Sequence, residues 1–531
     1  MRSVSKSRTL LALWLAIVLI ALCLVGIWVY RLDPYFHYHA PDTDRYFYTL
    51  TNQRSQNNGI IRRFKYDAMI TGTSLTENFR TSEMDELFGT NAVKLPFAGA
   101  TFREIDENIR LVLESNPEMK TVVRSLEMQR FYDDKDAKRD DLGDYPTYLY
   151  DRDPFNDVEY LFNRDVVFGM AYQMSHGRNE DGFEPGITSF DDYSTWRYAH
   201  DYGVSKVCPE GIVYQPDSLV PSLTDSEKDA IRANIAQNVT KIADDYPNVE
   251  FYCFIAPYSA AWWSYLSNDG TVLRHIEAEQ CVIEEILGHR NIYLFSFNDC
   301  PEITADLNNY KDTVHYGTWI NSLILKWMRD GEHLLTEENY LDYLQRERDF
   351  YTSFDYSTMN TQEDYEYSFY AAALLNEEVT GSKPVDLLGS GADMSGCVVS
   401  DNGGYGGGRS VVCSGRLQRE PETVDIADYL VDTGYIGVKA DIDLSDGHSY
   451  LTFCGKRISG DGQPTVCVYD RNGVKVAGLA LQSEGLDYEW HRYVIDLYAL
   501  DGDYTVILNG GAVDCSKKSE STYVFSDIIL Y

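Results

Sequence analysis

Twenty-two consecutive residues near the start of the chain, Thr9 to Tyr30 (TLLALWLAIVLIALCLVGIWVY), carry no charge. Such a run cannot be exposed to water at tolerable cost, so it must be buried in protein or in lipid. As a helix rising ~1.5 Å per residue it spans roughly 33 Å, enough for a bilayer core of about 30 Å. Arg2, Lys6 and Arg8 precede it, which predicts a cytoplasmic N-terminus, and Trp14, Trp28 and Tyr30 supply interfacial aromatics. The competing reading is a cleaved signal peptide, whose apolar region runs ~7–15 residues before a small-x-small cleavage site. Here Arg31-Leu32-Asp33-Pro34 follows directly and no such site is visible. The expectation is a cytoplasmic tail at 1–8, a transmembrane helix at 9–30, and the rest of the chain outside the membrane.

The 501 residues beyond this run are too many for one ordinary domain. Strand and helix patterns alternate from Tyr66 onward. Ala68–Thr71, Ala92–Leu95, Thr121–Leu126, Val249–Ile255 and Asn291–Phe297 read as short buried strands. Between and after them, helices are expected at Glu83–Phe88 (capped by Thr81 or Ser82 and stopped by Gly89), Phe102–Leu113, Thr224–Asp245, Val272–Leu287 and Gly317–Arg329. Such alternation predicts an α/β fold, a parallel sheet covered by helices. Residues 31–65 read as an aromatic, polar lead-in. Phe131 to about Pro221 has little periodicity, as functional insertions do. Residues 356–385 read as a connector. From 386 to 531, Gly-rich turns separate short alternating runs such as Thr465–Tyr469, Arg492–Leu497 and Tyr504–Leu508, which predicts a β-sandwich. The domains expected are therefore 31–355 and 386–531.

The formal net charge of -37 excludes a nucleic-acid binder, which needs clustered cations against phosphate. Of ten cysteines, Cys23 lies in the apolar run. The other nine contain no Cys-x-x-Cys pair, which argues against zinc-ribbon and thioredoxin-type sites; most read as buried apolar residues, with room for one or two disulfides in the C-terminal region. His37 and His39 lie near Asp33, Asp42 and Asp44 in a spacing that fits no metal-ligand pattern. No metal or cofactor is expected.

The chemistry centres on Gly72-Thr73-Ser74, directly after the first strand. This places Ser74 at the carboxyl edge of a parallel sheet, where open α/β folds hold their ligands. A serine hydroxyl needs a base, and the base an orienting acid. Asp312-Thr313-Val314-His315, after the last strand and before a helix, offers both within one turn. Ser74 alone reads equally well as a helix cap; the Asp–His pair tips the reading to catalysis.

With Gly-Thr-Ser near its start and Asp-x-x-His near its end, the region 31–350 resembles the SGNH (GDSL-like) hydrolase superfamily. More narrowly, it resembles the bacterial cell-surface branch related to teichoic-acid D-alanyl-transfer proteins and alginate acetyltransferases. Tyr66–Phe79 (YDAMITGTSLTENF), Tyr145–Asn156 and Asn309–Trp319 (NYKDTVHYGTW) carry the likeness. The resemblance implies Ser74 as nucleophile, His315 as base and Asp312 as its orienter, with the N–H groups of Ser74 and Gly99 as oxyanion donors. The family's third donor, an Asn in Gly-x-Asn after the third strand, is replaced here by Arg124-Ser125-Leu126-Glu127, and Asn78 is the substitute considered. The first motif also has Gly-Thr-Ser where Gly-Asp-Ser is common. Both departures fit acyl transfer better than hydrolysis.

Tyr258, Trp262 and Trp263, beyond the fourth strand, are candidates to stack on a sugar, with core packing the equal alternative. The function expected is that of an extracytoplasmic serine esterase or O-acyltransferase, acetyl being the acyl group considered. Its substrate would be a cell-surface glycan, and a membrane-bound partner would deliver the acyl group. The alternative is a non-catalytic glycan-binding or assembly protein on the same fold. The C-terminal sandwich is a candidate carbohydrate-binding module on architecture alone.

Overall fold

The computed structural model describes residues 2–139, 146–151, 153–179, 182–196, 202–217, 220, 222–362, 385–389, 391–394, 396–418, 435–445, 450–460, 464–480, 488, 490–497, 500–514 and 521–531. The first helix, α1, runs Arg2–Leu32, and its Thr9–Leu32 portion is long and apolar enough to cross a membrane, a test that a signal sequence near the N-terminus also meets. Only 6% of its apolar window is buried against the rest of the protein. The exception is its last turn. Val29 and Leu32 are buried, Trp28 Nε1 donates to Ser175 Oγ at 3.0 Å, and Tyr48 OH donates to the Leu32 carbonyl at 3.0 Å.

Five strands form the parallel sheet: β1 Ala68–Gly72, β2 Ala92–Pro96, β3 Thr121–Leu126, β4 Glu250–Ile255 and β5 Ile292–Ser296, in the order β2-β1-β3-β4-β5. Every residue of β1, β2 and β3 is buried, as strands covered on both faces must be. The flanking helices are α2 Gln53–Arg63, α3 Thr81–Phe88, α4 Phe102–Ser115, α5 Asp225–Ile235, α6 Ala260–Asn268, α7 Val272–Ile286, α8 Thr318–Asp330 and α9 Tyr340–Ser353. Helix α3 packs on α8, while α5 and α9 pack on α7.

Helix α4 starts where Thr101 and Glu104 satisfy each other's backbone N–H groups, and it buries the expected stripe of Phe102, Ile105, Ile109, Val112 and Leu113. The same capping box, Thr224 with Glu227, opens α5, which continues through a wide turn at Ala236–Thr240 into Lys241–Asp245. Helix α3 does not use the expected caps. It begins at Thr81, and the hydroxyls of Thr81 and Ser82 donate to the Asp191 carboxylate instead.

The lead-in at 31–65 contains α2, whose polar composition had hidden it. Seven of its eleven residues are buried, five of them polar or glycine. The aperiodic stretch contains short helices at Val158–Leu161, Asp165–Ala171 and Tyr172–Gly177. The expected connector is also shorter than 356–385. Tyr356 and Met359 are buried in the α/β core and Val385–Asp386 pairs with Ser521–Leu530, which leaves 363–384, outside the described residues, between them.

Beyond this connector the strands form a seven-stranded and a four-stranded sheet, antiparallel except where Ser410–Gln418 runs parallel to Ala512–Asp514. Val411, Phe453 and Phe525 of one sheet share a core with Val438, Val466 and Val506 of the other. The two parts touch through Arg80, which donates to Tyr450 OH at 3.1 Å, and through Tyr531.

Cys397 and Cys413 sit directly opposite each other on paired antiparallel strands, with sulfurs 3.3 Å apart. Forming a bond of about 2.05 Å needs only a small rotation of the side chains. Oxidised glutathione, accepting the two electrons, is therefore expected to join them. A peptide map of non-reduced protein should show the 397–413 crosslink, and free thiols at both positions after such treatment would contradict this.

Candidate functional site

Strand β1 ends at Gly72 with φ of +152°, where a Cβ would lie 2.1 Å from Ser125 Oγ. Only glycine fits, and its shape lets the chain turn sharply into the one-turn helix Ser74–Thr76. That turn is held from several sides. Thr76 Oγ1 donates to the Thr73 carbonyl, Thr73 Oγ1 donates to Glu127 Oε1 at 2.6 Å, and Asn321 of α8 donates to the Leu75 carbonyl at 3.1 Å.

The segment 310–316 closes on itself: Tyr310 and Tyr316 bridge, and Lys311 N–H donates to the His315 carbonyl at 3.0 Å. Ser259 at the start of α6 fixes it through two bonds, backbone N–H and Oγ, to the Thr313 carbonyl. Asp312 Oδ1 accepts the N–H groups of Val314 and His315 at 2.9 and 2.8 Å, and its Oδ2 lies 2.7 Å from His315 Nδ1. Burial opposes ionisation of Asp312, but the His315 ring and these N–H groups prevail and hold its carboxyl below the ordinary 3.8. The other ring nitrogen, His315 Nε2, lies 2.7 Å from Ser74 Oγ. With Nδ1–H on the carboxylate, Nε2 is the free lone pair, and the hydroxyl donates to it.

Gly99 follows β2 with φ of +70°. Its carbonyl is clamped by Arg130 Nη2 at 2.9 Å and Arg139 Nη1 at 3.0 Å, which fixes the orientation of that loop. Among the described residues no acceptor takes the N–H of Gly99 or of Ser74. Asn78 is placed differently from the expected third donor. Its Oδ1 accepts from Thr195 Oγ1 at 2.9 Å and Trp196 N–H at 3.0 Å, while its buried Nδ2 has no partner among the described residues. Asn78 thus ties the long insertion to the serine turn.

Trp196, on that insertion, was not legible from the sequence. Its Nε1 donates to the Ser74 carbonyl at 3.3 Å, its ring stands edge-on to His315 with centroids 5.6 Å apart, and Lys311 Nζ lies 4.3 Å from its ring centroid. Glu127 is the second residue missed. Buried at the end of β3, it accepts from Thr73, Ser125 and Tyr258, the last at 2.8 Å. Burial and this carboxylate push the Tyr258 phenol well up, so it remains a donor. The sequence signal was present: a charged residue directly after a short buried strand needs partners.

Removing the Glu127 carboxylate strands three buried donors, each costing about 1–3 kcal/mol if left unpaired. Glu127→Ala is therefore expected to lower thermal stability and to loosen the serine turn. An unchanged melting temperature with unchanged activity would contradict this.

The aromatic candidates need correction. Tyr258 is buried on Glu127, and Trp263 is buried with its ring stacked on Tyr351 at 4.0 Å, so neither offers a face to a sugar. Trp262 is half-buried and edge-on to Tyr258. A cleft of about 730 Å³ lies elsewhere, lined by Gln53, Arg54, Ala98, Tyr148, Asn156 and Glu159 among others. It borders the loop that carries Gly99, since Gln53 Oε1 accepts the Ala98 N–H at 2.7 Å. Gln53 also donates to Glu77, whose carboxyl is raised by burial against the lowering effects of Gln53, His315, Lys94 and Lys311.

Asp33, His37 and His39 form a turn in which Asp33 accepts three backbone N–H groups. Asp299, Cys300 and His333 converge closely enough to hold an ion, but Asp299 Oδ2 already accepts Nε and Nη2 of Arg346 at 3.0 and 2.8 Å.

The sequence matches no protein-family model and no curated protein. Among solved structures, 55% of the chain aligns with 91% of a protein from Streptococcus pneumonia provisionally assigned as a platelet activating factor, at 12% identity and a TM-score of 0.26. A carbohydrate-binding module from Clostridium stercorarium solved with cellobiose aligns over 92% of its length with 27% of the chain, at 12% identity and a TM-score of 0.16. A family 6 module from Clostridium cellulolyticum solved with xylose aligns over 97% of its length with 27% of the chain, at 12% identity and a TM-score of 0.17. Similarity this low carries no functional weight, so the site itself must.

Proposed function

We propose that the chain is a membrane-anchored, extracytoplasmic serine esterase or O-acyltransferase of the SGNH type, acting on cell-surface polysaccharide. The observation that carries this reading is the continuous relay Asp312 Oδ2–His315 Nδ1 and His315 Nε2–Ser74 Oγ, both steps at 2.7 Å. His315 takes the Ser74 proton as Oγ attacks an acyl carbonyl, and the negative charge that forms on the carbonyl oxygen is met by the N–H groups of Ser74 and Gly99. Each such donor is worth about 3 kcal/mol of barrier. Collapse expels the leaving alcohol, which receives the proton from His315, and leaves an acyl-serine. A sugar hydroxyl, deprotonated by His315, then attacks the acyl carbon and displaces Ser74 Oγ, or water does so and releases the acid.

The polar cleft beside Ala98 suits a glycan acceptor, and the C-terminal sheets, read as a jelly-roll-like sandwich, suit a carbohydrate-binding role. An acyl group arriving outside the cell requires a donor, which a membrane-bound partner would supply. Incubation of the full chain with p-nitrophenyl acetate and increasing oligosaccharide acceptor should divert acetyl from acetate to sugar esters. Release of acetate alone at every acceptor concentration would reduce the proposal to an esterase, and no p-nitrophenol release would remove both.

A second reading, glycan binding without turnover, is favoured by one observation: Glu127, engaged by three donors, stands where the family supplies its third oxyanion group. It predicts that Ser74→Ala leaves glycan affinity intact while the native chain shows no acyl-serine.

A further inference from the structure

We propose that residues 153–179 form a collar inserted into the outer leaflet of the bilayer around the end of α1. This rests on the reading that α1 spans the membrane.

The collar has two faces. Tyr160, Val166 and Ala171 are buried inward, as in any packed segment. Its outward face mixes large apolar side chains with charged ones, as interfacial segments do: Phe155 is 86% and Phe168 73% exposed, with Val158, Phe162 and Tyr172 exposed beside them, among exposed Glu159, Arg164 and Asp165. These five large apolar side chains fall within eighteen residues; beyond α1, no other described stretch of that length exposes more than three. An apolar cluster of this density marks a surface that is covered.

The position of the collar identifies what covers it. The helical pieces Val158–Leu161 and Asp165–Ala171 pack against α1. A Cβ placed on Gly26 would lie 3.6 Å from Phe162 Cζ, so Phe162 lies alongside Gly26. Gly26 is four residues inside the end of the uncharged run, about 6 Å along the helix axis. If lipid surrounds Thr9 to Tyr30, it therefore reaches the level of Phe162. Trp28 and Ser175 are joined at the same level, so the collar cannot rise clear of the interface without breaking that bond. Phe and Tyr side chains at this depth match the way interfacial segments bury an apolar face at the headgroup–acyl boundary. The occupant is therefore lipid, continuous with the surface that α1 itself presents.

Asn156 and Glu159 of the collar line the cleft that Gln53 and Ala98 share. A collar seated in lipid places the mouth of that cleft at headgroup level, within reach of a donor held in the membrane.

The test uses the full chain reconstituted in palmitoyl-oleoyl phosphatidylcholine vesicles, with the photoreactive residue p-benzoylphenylalanine placed singly at Phe155, Phe168, Leu19 or Val474. Leu19 reports on α1, and Val474, exposed in the C-terminal part, reports on water. On irradiation, lipid adducts are expected at 155 and 168 as at 19, and none at 474. Lipid adducts at 19 with none at 155 and 168 would overturn the collar while leaving the anchor standing. Crosslinks from 155 or 168 to a second copy of the chain would overturn it in favour of a protein interface. Loss of lipid adducts at 19 as well would remove the membrane-spanning reading, and the collar with it.

Discussion

Replacing Ser74 with alanine is expected to reduce the rate of p-nitrophenyl acetate turnover on the order of 10⁴–10⁶-fold, with the fold unchanged. The magnitude follows from how the relay works. Without Oγ there is no acyl-enzyme, and His315 and the two oxyanion N–H groups can act only on water attacking the substrate directly. Alanine is tolerated at this position because Ser74 begins a one-turn helix and, among the described residues, its hydroxyl bonds only with His315. A melting curve matching the native protein would separate loss of chemistry from loss of structure. Retention of more than about a tenth of the native rate would mean that another nucleophile is at work.

The second large effect is expected from Asp312→Asn, a loss of about 10⁴-fold in kcat/KM with little change in KM. The amide can still accept the N–H groups of Val314 and His315, so the loop keeps its shape. What changes is the partner of Nδ1. An amide that presents its NH2 to the ring favours the tautomer with the proton on Nε2, which cannot accept from Ser74.

Burial alone would raise Asp312, yet the bonds from His315 and the backbone hold its carboxyl below 3.8. Its contribution is therefore present above the ordinary carboxylate pKa and is lost only as pH falls through the depressed folded value. Native activity should thus lose no orienting group to protonation of Asp312 between neutral pH and about pH 4. The variant should be deficient across that whole range, and a deficiency appearing only at the acid end would contradict the assigned role.

Strand and helix order in the α/β part was legible because apolar runs are short and separated by strong stops. Gly89 ends α3 in a left-handed turn at φ of +67°, and Thr101 with Glu104 opens α4. The serine turn was legible because Gly72-Thr73-Ser74 directly follows a short apolar strand. Three things were hidden for identifiable reasons. Helix α2 buries Gln56, Asn57 and Asn58, and buried amides paired with backbone carbonyls leave no apolar period to read. Trp196 comes from an aperiodic insertion, so its approach to Ser74 depends on tertiary contacts through Asn78. Tyr258 and Trp263 follow a strand end, as rim residues do, but Glu127 and Tyr351 draw them into the core. Sequence spacing places an aromatic near a site; only packing decides which face it shows.

Whether Ser74 is an activated nucleophile is decided by exposing the full native chain to a fluorophosphonate and mapping the adduct by peptide mass spectrometry. The relay predicts one phosphonylated residue, Ser74, in the native chain, and a strong reduction of that adduct in His315→Ala. A correctly folded native chain with no adduct at Ser74, or with labelling that persists undiminished without His315, would contradict it.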